Sequence, residues 1–429
     1  MTDSRRITGM WWMSDNPDNK VPGDLLINEG KLELNGSFEG LKPGAWGGGK
    51  PGLISTVKDK TILGVNRGGK TKYTLEYFDN PGWTDTWNND YGYKADIYSL
   101  GRIFEGDHFD KTDTLKFKNY YVEYPDVFNW VSDGLISVTT FFKKSKKLKA
   151  RDVTTRIDIK APKEIVVYKG DKFNISLSLY RGSMNFIPSD DMHLKQGCFV
   201  RIWSPKGIEL SDATDTYRHL QRFLSIAIGK DVEPIRFQMK TGRGRDTRTI
   251  TLTTRSKENA AKKSIHPNEM SFTFSDIKKN RQTIFEKWFT EKDKHSDMFD
   301  LFSFINSNTP KNINNQFKDV VSAVEGYVTV ETGVPRTLPE VAVQTLNEYL
   351  PEPDRPINEQ DYSRIQITRN KLSHIKLAKA SDEAKIMDDN DKYLSSRRMH
   401  FLLEYALLKN LGVEDSILEK FYKKRKLYL

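Results

Sequence analysis

Two short stretches of this 429-residue chain combine residue types and spacings that support chemistry. In GVNRGGKT (64–71), Gly64, Gly69, Lys70 and Thr71 occupy every fixed position of the phosphate-binding pattern G-x-x-x-x-G-K-[ST]. In RNKLSH (369–374), Arg369, Asn370 and His374 bring a permanent cation, an amide and an imidazole within one and a half helical turns. The first would imply nucleotide binding. The second implies proton transfer beside an anion, because an imidazole titrates near neutrality while a guanidinium stays charged and grips two phosphate oxygens.

The flanking residues decide the first case. A phosphate-cradling loop needs a helix N-terminus directly after it, to aim backbone N–H groups and a dipole at the anion. Here Thr71 is followed by KYTLEYF, an alternating strand pattern that DNPGW ends. TILGVNRGGKTKYTLEYF therefore predicts strand, Gly-Gly turn and strand, not a nucleotide site. The paired acidic runs SDD (189–191) and DDND (388–391) lack calcium-loop spacing and predict turns or helix caps. Trp11, Trp12, Trp46, Trp83 and Trp87 predict packing in a β-domain. No metal or organic cofactor is expected.

The second case gains from its surroundings. On a helix, Ile365, Thr368, Leu372 and Ile375 fall on one face, with Asn370 and His374 on a neighbouring one and Arg369 about 140° from His374. Such a set suffices to cleave RNA through the substrate's own 2′-hydroxyl, since the protein need only move protons and stabilise negative charge on phosphorus. His400 predicts a helix-surface residue, and His108, His193, His219, His266 and His295 show no partners in sequence.

Two textures divide the chain. From Gly9 to about Phe274, short β-branched and aromatic runs such as LELNGSF, TILGV, EIVVYKG and FNISLSLY alternate with Gly, Asn and Asp turns, which predicts antiparallel β-structure. One helix, ATDTYRHLQRFLSIAIGK (213–230), interrupts it. From Ser275 the periodicity becomes helical. Ser275 is the expected cap of FSDIKKNRQTIFEKWFTEK, with Ile277, Ile284, Trp288 and Phe289 on one face, and several helices follow to Leu429. The reading is an α+β multidomain chain: a β-rich region over 1–274, a connecting helix over 275–300 and an all-α bundle over 301–429.

The formal charge of +10 favours an anionic partner, and basic residues cluster in TGRGRDTR (241–248) and at Lys420, Lys423, Lys424, Arg425 and Lys426. No apolar run reaches the roughly 18 residues of a membrane span, no signal-peptide core is present, and a cytoplasmic location without membrane association is expected. The one cysteine, Cys198, excludes an internal disulfide and predicts a buried apolar residue.

The pattern R-N-x-x-x-H in a late helix resembles the R-x(4–6)-H signature of HEPN ribonuclease domains, and FKDVVSAVEGYVTV resembles the helix carrying that motif's acidic partner, here Glu325. WWMSDNPDNKVPGDLLINEGKLELNGSF (11–38) resembles the opening of ApeA-type N-terminal domains. The resemblance implies a metal-independent endoribonuclease of abortive anti-phage defence, with a β-rich region that senses a phage-derived trigger. It implies a homodimer through the HEPN domain, with Arg369, His374, Asn370 and Glu325 as the catalytic set. The substrate would be single-stranded or looped RNA, a tRNA anticodon loop for example, tracked by Lys371, Arg397, Arg398, Lys423, Lys424 and Arg425. The alternative is an inactive HEPN dimerisation scaffold whose β-domain binds a protein or glycan.

Overall fold

The computed structural model describes residues 4–28, 31–36, 61–77, 86–87, 94–112, 114–131, 134–144, 151–181, 185–186, 192–193, 196–241, 247–254, 265–305, 312–334, 337–373 and 380–426. Its strands in chain order are β1 Arg5–Met13, β2 Asn16–Asn28, β3 Lys31–Gly36, β4 Thr61–Asn66, β5 Lys72–Tyr77, β6 Thr86–Trp87, β7 Lys94–Glu105 and β8 Lys116–Glu123. There follow β9 Ile136–Lys144, β10 Arg151–Ile159, β11 Lys163–Lys169, β12 Asn174–Arg181, β13 Asn185–Phe186, β14 Met192–His193, β15 Gln196–Glu209, β16 Arg236–Thr241 and β17 Arg248–Thr254. The helices are α1 Val127–Val131, α2 Leu210–Ile228, α3 Phe274–Ile277, α4 Arg281–Lys294, α5 Ser296–Ile305, α6 Ile313–Thr332, α7 Pro339–Asn347, α8 Glu359–Ser373, α9 Ala380–Glu383, α10 Asp389–Asn410 and α11 Asp415–Lys426. The N-terminal part is thus antiparallel sheet and the C-terminal part helical. The chain forms two compact units, one of residues 1–123, 199–215 and 234–264, the other of 124–198, 216–233 and 265–429.

In the first unit, β3, β2, β1, β4 and β5 pair in succession, all antiparallel, and β7 pairs with both β3 and β5. The six strands form a closed ring of pairings. Alternation directs Trp11, Met13, Leu25, Ile27, Leu32, Leu34, Ile62, Tyr73, Leu75, Leu100 and Ile103 into one buried cluster. From β7 the ladder continues through β17, β16 and β8 to β15. At Arg102–Glu105, β7 is flanked on both sides, Phe104 facing Thr74 of β5 and Leu252 of β17.

The strand–turn–strand reading of GVNRGGKT holds: β4 and β5 pair from Thr61↔Glu76 to Val65↔Lys72. The pattern's two glycines and the backbone N–H groups of its last two residues serve the hairpin. A Cβ on Gly64 would run into the six-membered ring of Trp11, whose Nε1 donates to the Gly23 carbonyl at 3.0 Å. Gly69 turns the chain with φ +65°. Asn66 Oδ1 accepts from the backbone N–H groups of Lys70 and Thr71 at 3.0 and 3.1 Å, so donors that a phosphate loop would aim at a ligand serve the turn instead. Trp11 and Trp12 are buried, as is Cys198; Trp46 and Trp83 lie outside the described residues.

Helix α2 matches the predicted inserted helix and ends at Gly229, φ +86°. The single helix expected from Ser275 onward is instead two. Thr273, not Ser275, caps α3: Asp276 accepts from the Thr273 backbone N–H at 2.6 Å in a capping box, and a second helix restarts after Asn280. Ile277, Ile284, Trp288 and Phe289 are buried as expected. In DDND, Asp388 caps α10 by accepting from the Asp391 N–H at 2.7 Å, while SDD lies outside the described residues. Among the described residues no helix is long and apolar enough to cross a membrane.

Candidate active site

Helix α6 carries the centre of the bundle. Phe317, Val320, Val321, Val324, Tyr327 and Val328 recur at helical spacing and are all buried. Glu325 stands at the flank of that stripe, its side chain only 16% exposed. Helix α8 packs on α6 and buries Ile365 and Thr368. The register places Arg369 on the turn that reaches Glu325: Arg369 Nη2 donates to Glu325 Oε2 at 3.1 Å.

The pair's electrostatics are set by burial. Loss of water pushes the Glu325 carboxyl above the usual carboxylate range, against the opposing pull of the Arg369 charge and hydrogen bond. Arg369 is itself 28% exposed and retains donors beyond those facing Glu325. Asn370 is exposed, its Oδ1 at 3.5 Å from Arg369 Nη1, the limit of hydrogen-bond reach. Thr368 Oγ1 accepts from the Met387 N–H at 3.0 Å, a buried bond that fixes the neighbouring turn of α8. The structure thus brings together Arg369, Asn370 and Glu325. His374 and Ile375 lie outside the described residues.

The basic residues expected along RNA sort into two groups. Lys371 is exposed at the end of α8. Arg397 stacks its guanidinium over Tyr393, 5.7 Å from the ring centroid, and Arg398 is half-buried on the same helix. Lys423 is exposed and paired with Glu419 at 2.6 Å, a surface contact of little energy. By contrast, Lys424 donates to the carbonyls of Asn268, at 2.6 Å, and Met270. Arg425 donates to the buried Glu404 at 2.9 Å and to the Gly229 carbonyl at 3.3 Å. Both tie α11 to its own unit. Residues 242–246 of the TGRGRDTR cluster lie outside the described residues.

Several histidines have partners that the sequence did not reveal. His400 is not a surface residue: its side chain is 14% exposed, it lies 3.7 Å from Glu404, and burial lowers its pKa. His219 stacks on Trp288 at 4.6 Å, and burial depresses its pKa to about 3. His108 Nε2 bonds the Gly64 carbonyl at 2.9 Å, and His266 caps a short turn by accepting from the Asn268 N–H. His295 is buried between Glu331 at 2.9 Å and Glu291 at 3.2 Å. The helical spacing of Glu291 and His295, four apart, was the available signal.

Glu291, His295 and Glu331 are also the described group that could hold a cation, with ligand atoms all within 4.8 Å. Two features favour an ion-pair cluster instead. Lys294 Nζ already lies 2.7 Å from Glu331 and 3.3 Å from Glu291, and the buried His295 Nδ1 has no acceptor among the described residues, whereas a metal-bound imidazole donates its second N–H to one.

Comparison with known families gives two matches. A model described as ApeA N-terminal domain 1 matches residues 6–288, and one described as Apea-like HEPN matches residues 251–417, which include α6, α8, Glu325 and Arg369. No curated protein and no solved structure matches the chain. HEPN domains are generally nucleases that act on RNA and generally dimerise, and the ApeA domains are associated with anti-phage defence.

Proposed function

The chain belongs to the ApeA family, joining ApeA N-terminal domain 1 to an Apea-like HEPN domain, and from that membership we propose that it is a metal-independent endoribonuclease acting in abortive anti-phage defence. The observation that carries the proposal is the half-buried Arg369–Glu325 pair beside the R-N-x-x-x-H sequence. Glu325 aims the guanidinium, which leaves part of its donor fork for a phosphate.

In the proposed reaction an imidazole of His374 removes the proton of the 2′-hydroxyl. The 2′-oxygen attacks the adjacent phosphorus, the bond from phosphorus to the 5′-oxygen breaks, and a second imidazole protonates the departing oxygen. Arg369 stabilises the negative charge on the pentacoordinate phosphorus, and Asn370 orients phosphate or imidazole. The products are a 2′,3′-cyclic phosphate and a 5′-hydroxyl. Two copies of the chain supply the two imidazoles; the exposed Val330, Val334, Leu338 and Val341 give the HEPN region apolar surface that a second copy would cover.

Single-stranded or looped RNA, such as a tRNA anticodon loop, permits the in-line attack that an A-form duplex restricts. Lys371, Arg397, Arg398 and Lys423 are the proposed phosphate contacts, while Lys424 and Arg425 hold the fold. The β-rich region is proposed to respond to a phage-derived trigger.

The test uses full-length protein and its His374→Ala and Arg369→Ala variants with total cellular RNA in excess EDTA, followed by mapping of RNA ends. New 2′,3′-cyclic phosphate ends are expected from the unaltered chain and from neither variant. Cleavage that survives in both variants would remove the assignment of this site.

A further inference from the structure

A cavity of about 350 Å³ lies in the second unit between β11 and the α3–α4 junction, remote in sequence from the R-N-x-x-x-H helix. Its walls carry four cationic side chains, Lys163, Lys169, Lys278 and Arg281, against one carboxylate, Glu164, while Phe274 contributes an apolar side. The walls are braced: Tyr168 of β11 packs on Phe289 of α4 with ring centroids 4.7 Å apart, and the Phe274 ring meets Trp130 at 5.4 Å.

Two further observations point to an anion. Asn280, the N-cap of α4, makes no side-chain cap; its amide donates to Glu414 at 3.0 Å, which leaves the first-turn N–H groups of a 14-residue helix without that acceptor, beside cavity residues Arg281 and Gln282. Arg281 donates through Nη1 to the Lys278 carbonyl at 2.6 Å, which holds two of the cavity's cationic residues side by side.

We propose that this cavity binds the phosphate of a nucleotide. Its volume falls within the ~300–1,000 Å³ of small-molecule sites and exceeds what a bare phosphate needs. The nucleotide is either free in solution or one residue of a bound RNA, and the chemistry is the same. This site does not depend on the ribonuclease reading.

The experiment titrates full-length protein with AMP by calorimetry, and with a ten-nucleotide 2′-O-methyl RNA, which has no free 2′-hydroxyl, by fluorescence anisotropy. The variants are Lys163→Glu, Lys278→Glu, the conservative Lys278→Arg and, as a control that does not line the cavity, Lys118→Glu, each verified by circular dichroism. If the ligand is a free nucleotide, AMP binds and weakens about tenfold or more in both cavity charge reversals, while Lys278→Arg and Lys118→Glu stay within about twofold. If the nucleotide belongs to RNA, AMP is silent and the oligonucleotide shows that same pattern. Both probes silent, or both indifferent to Lys163→Glu and Lys278→Glu, would overturn the proposal.

Discussion

Replacing Arg369 by Ala tests the site in a way that does not require activity. The substitution leaves Glu325, 16% exposed, without its counter-charge. Breaking a fully buried pair costs about 3–5 kcal/mol, and an exposed one about 0–1 kcal/mol. With Arg369 28% exposed, the expected loss at neutral pH is about 2 kcal/mol. That corresponds to a fall in Tm of about 2–4 °C per kcal/mol for a unit of 150–250 residues. Two controls distinguish charge from packing. In Arg369→Ala/Glu325→Gln no charge is stranded, so most of the loss is recovered. Burial already raises the Glu325 pKa, and removing Arg369 takes away the influence that lowers it. As pH falls through that raised value the carboxyl takes up a proton, and the cost of Arg369→Ala shrinks. Thermal melts at neutral and mildly acidic pH, for both single variants and the double, supply the cycle. An equal cost at both pH values and in both Glu325 backgrounds would refute the reasoning, because the pair would then contribute packing alone.

Other outcomes follow from contacts elsewhere. Lys70→Ala should change stability by no more than about 0.5 kcal/mol, and calorimetry with ATP or GTP should give the same null result before and after, since the turn is built on Asn66; specific nucleotide binding lost in the variant would contradict the hairpin reading. Gly64→Ala should cost about 2–3 kcal/mol as its methyl meets Trp11, visible as a lowered melting temperature and a changed tryptophan near-UV signal; an unchanged melt would mean the ring moves aside freely. Arg425→Ala strands Glu404, whose side chain is 2% exposed, and should cost about 3 kcal/mol in urea unfolding, with recovery in Arg425→Ala/Glu404→Gln; an effect confined to RNA binding would return Arg425 to the RNA track.

How far the sequence was readable depended on how local each signal was. The β4–β5 hairpin was legible because alternation and a Gly-Gly turn act within a few residues, and the same holds for α2 with its closing Gly229. The α3–α4 break was missed because FSDIKKNRQTIF keeps helical spacing through the stop, and the start of α3 was misplaced because its capping bond, from the Thr273 N–H to Asp276, begins before the apparent helix. At the candidate site the motif was legible as residue types. The approach of Glu325 to Arg369, separated by 44 residues, rests on the packing of α6 against α8 and was available only through the family resemblance. The burial of His400 and the carboxylates around His295 were illegible, since helical periodicity states which residues share a face but not what covers it. For the same reason the terminal basic cluster looked uniform, although Arg425 and Lys424 are occupied and Lys423 points to solvent.

The position of β7, flanked at Arg102–Glu105 by β5 and β17 together, has a consequence for synthesis and unfolding. Its partner Thr251 follows Glu105 by about 150 residues, a non-local pairing of the kind that slows folding. The nascent chain therefore extrudes β7 long before the strand that completes its second edge. Until then, that edge is an open template in a translating chain, the stage at which a bound chaperone or a neighbouring ribosome's product has most access. Once β17 docks, the ring and the outer ladder share a strand, and neither can open without loosening the other. Amide hydrogens of Arg102–Glu105 should consequently be among the last of the first unit to exchange with solvent deuterium.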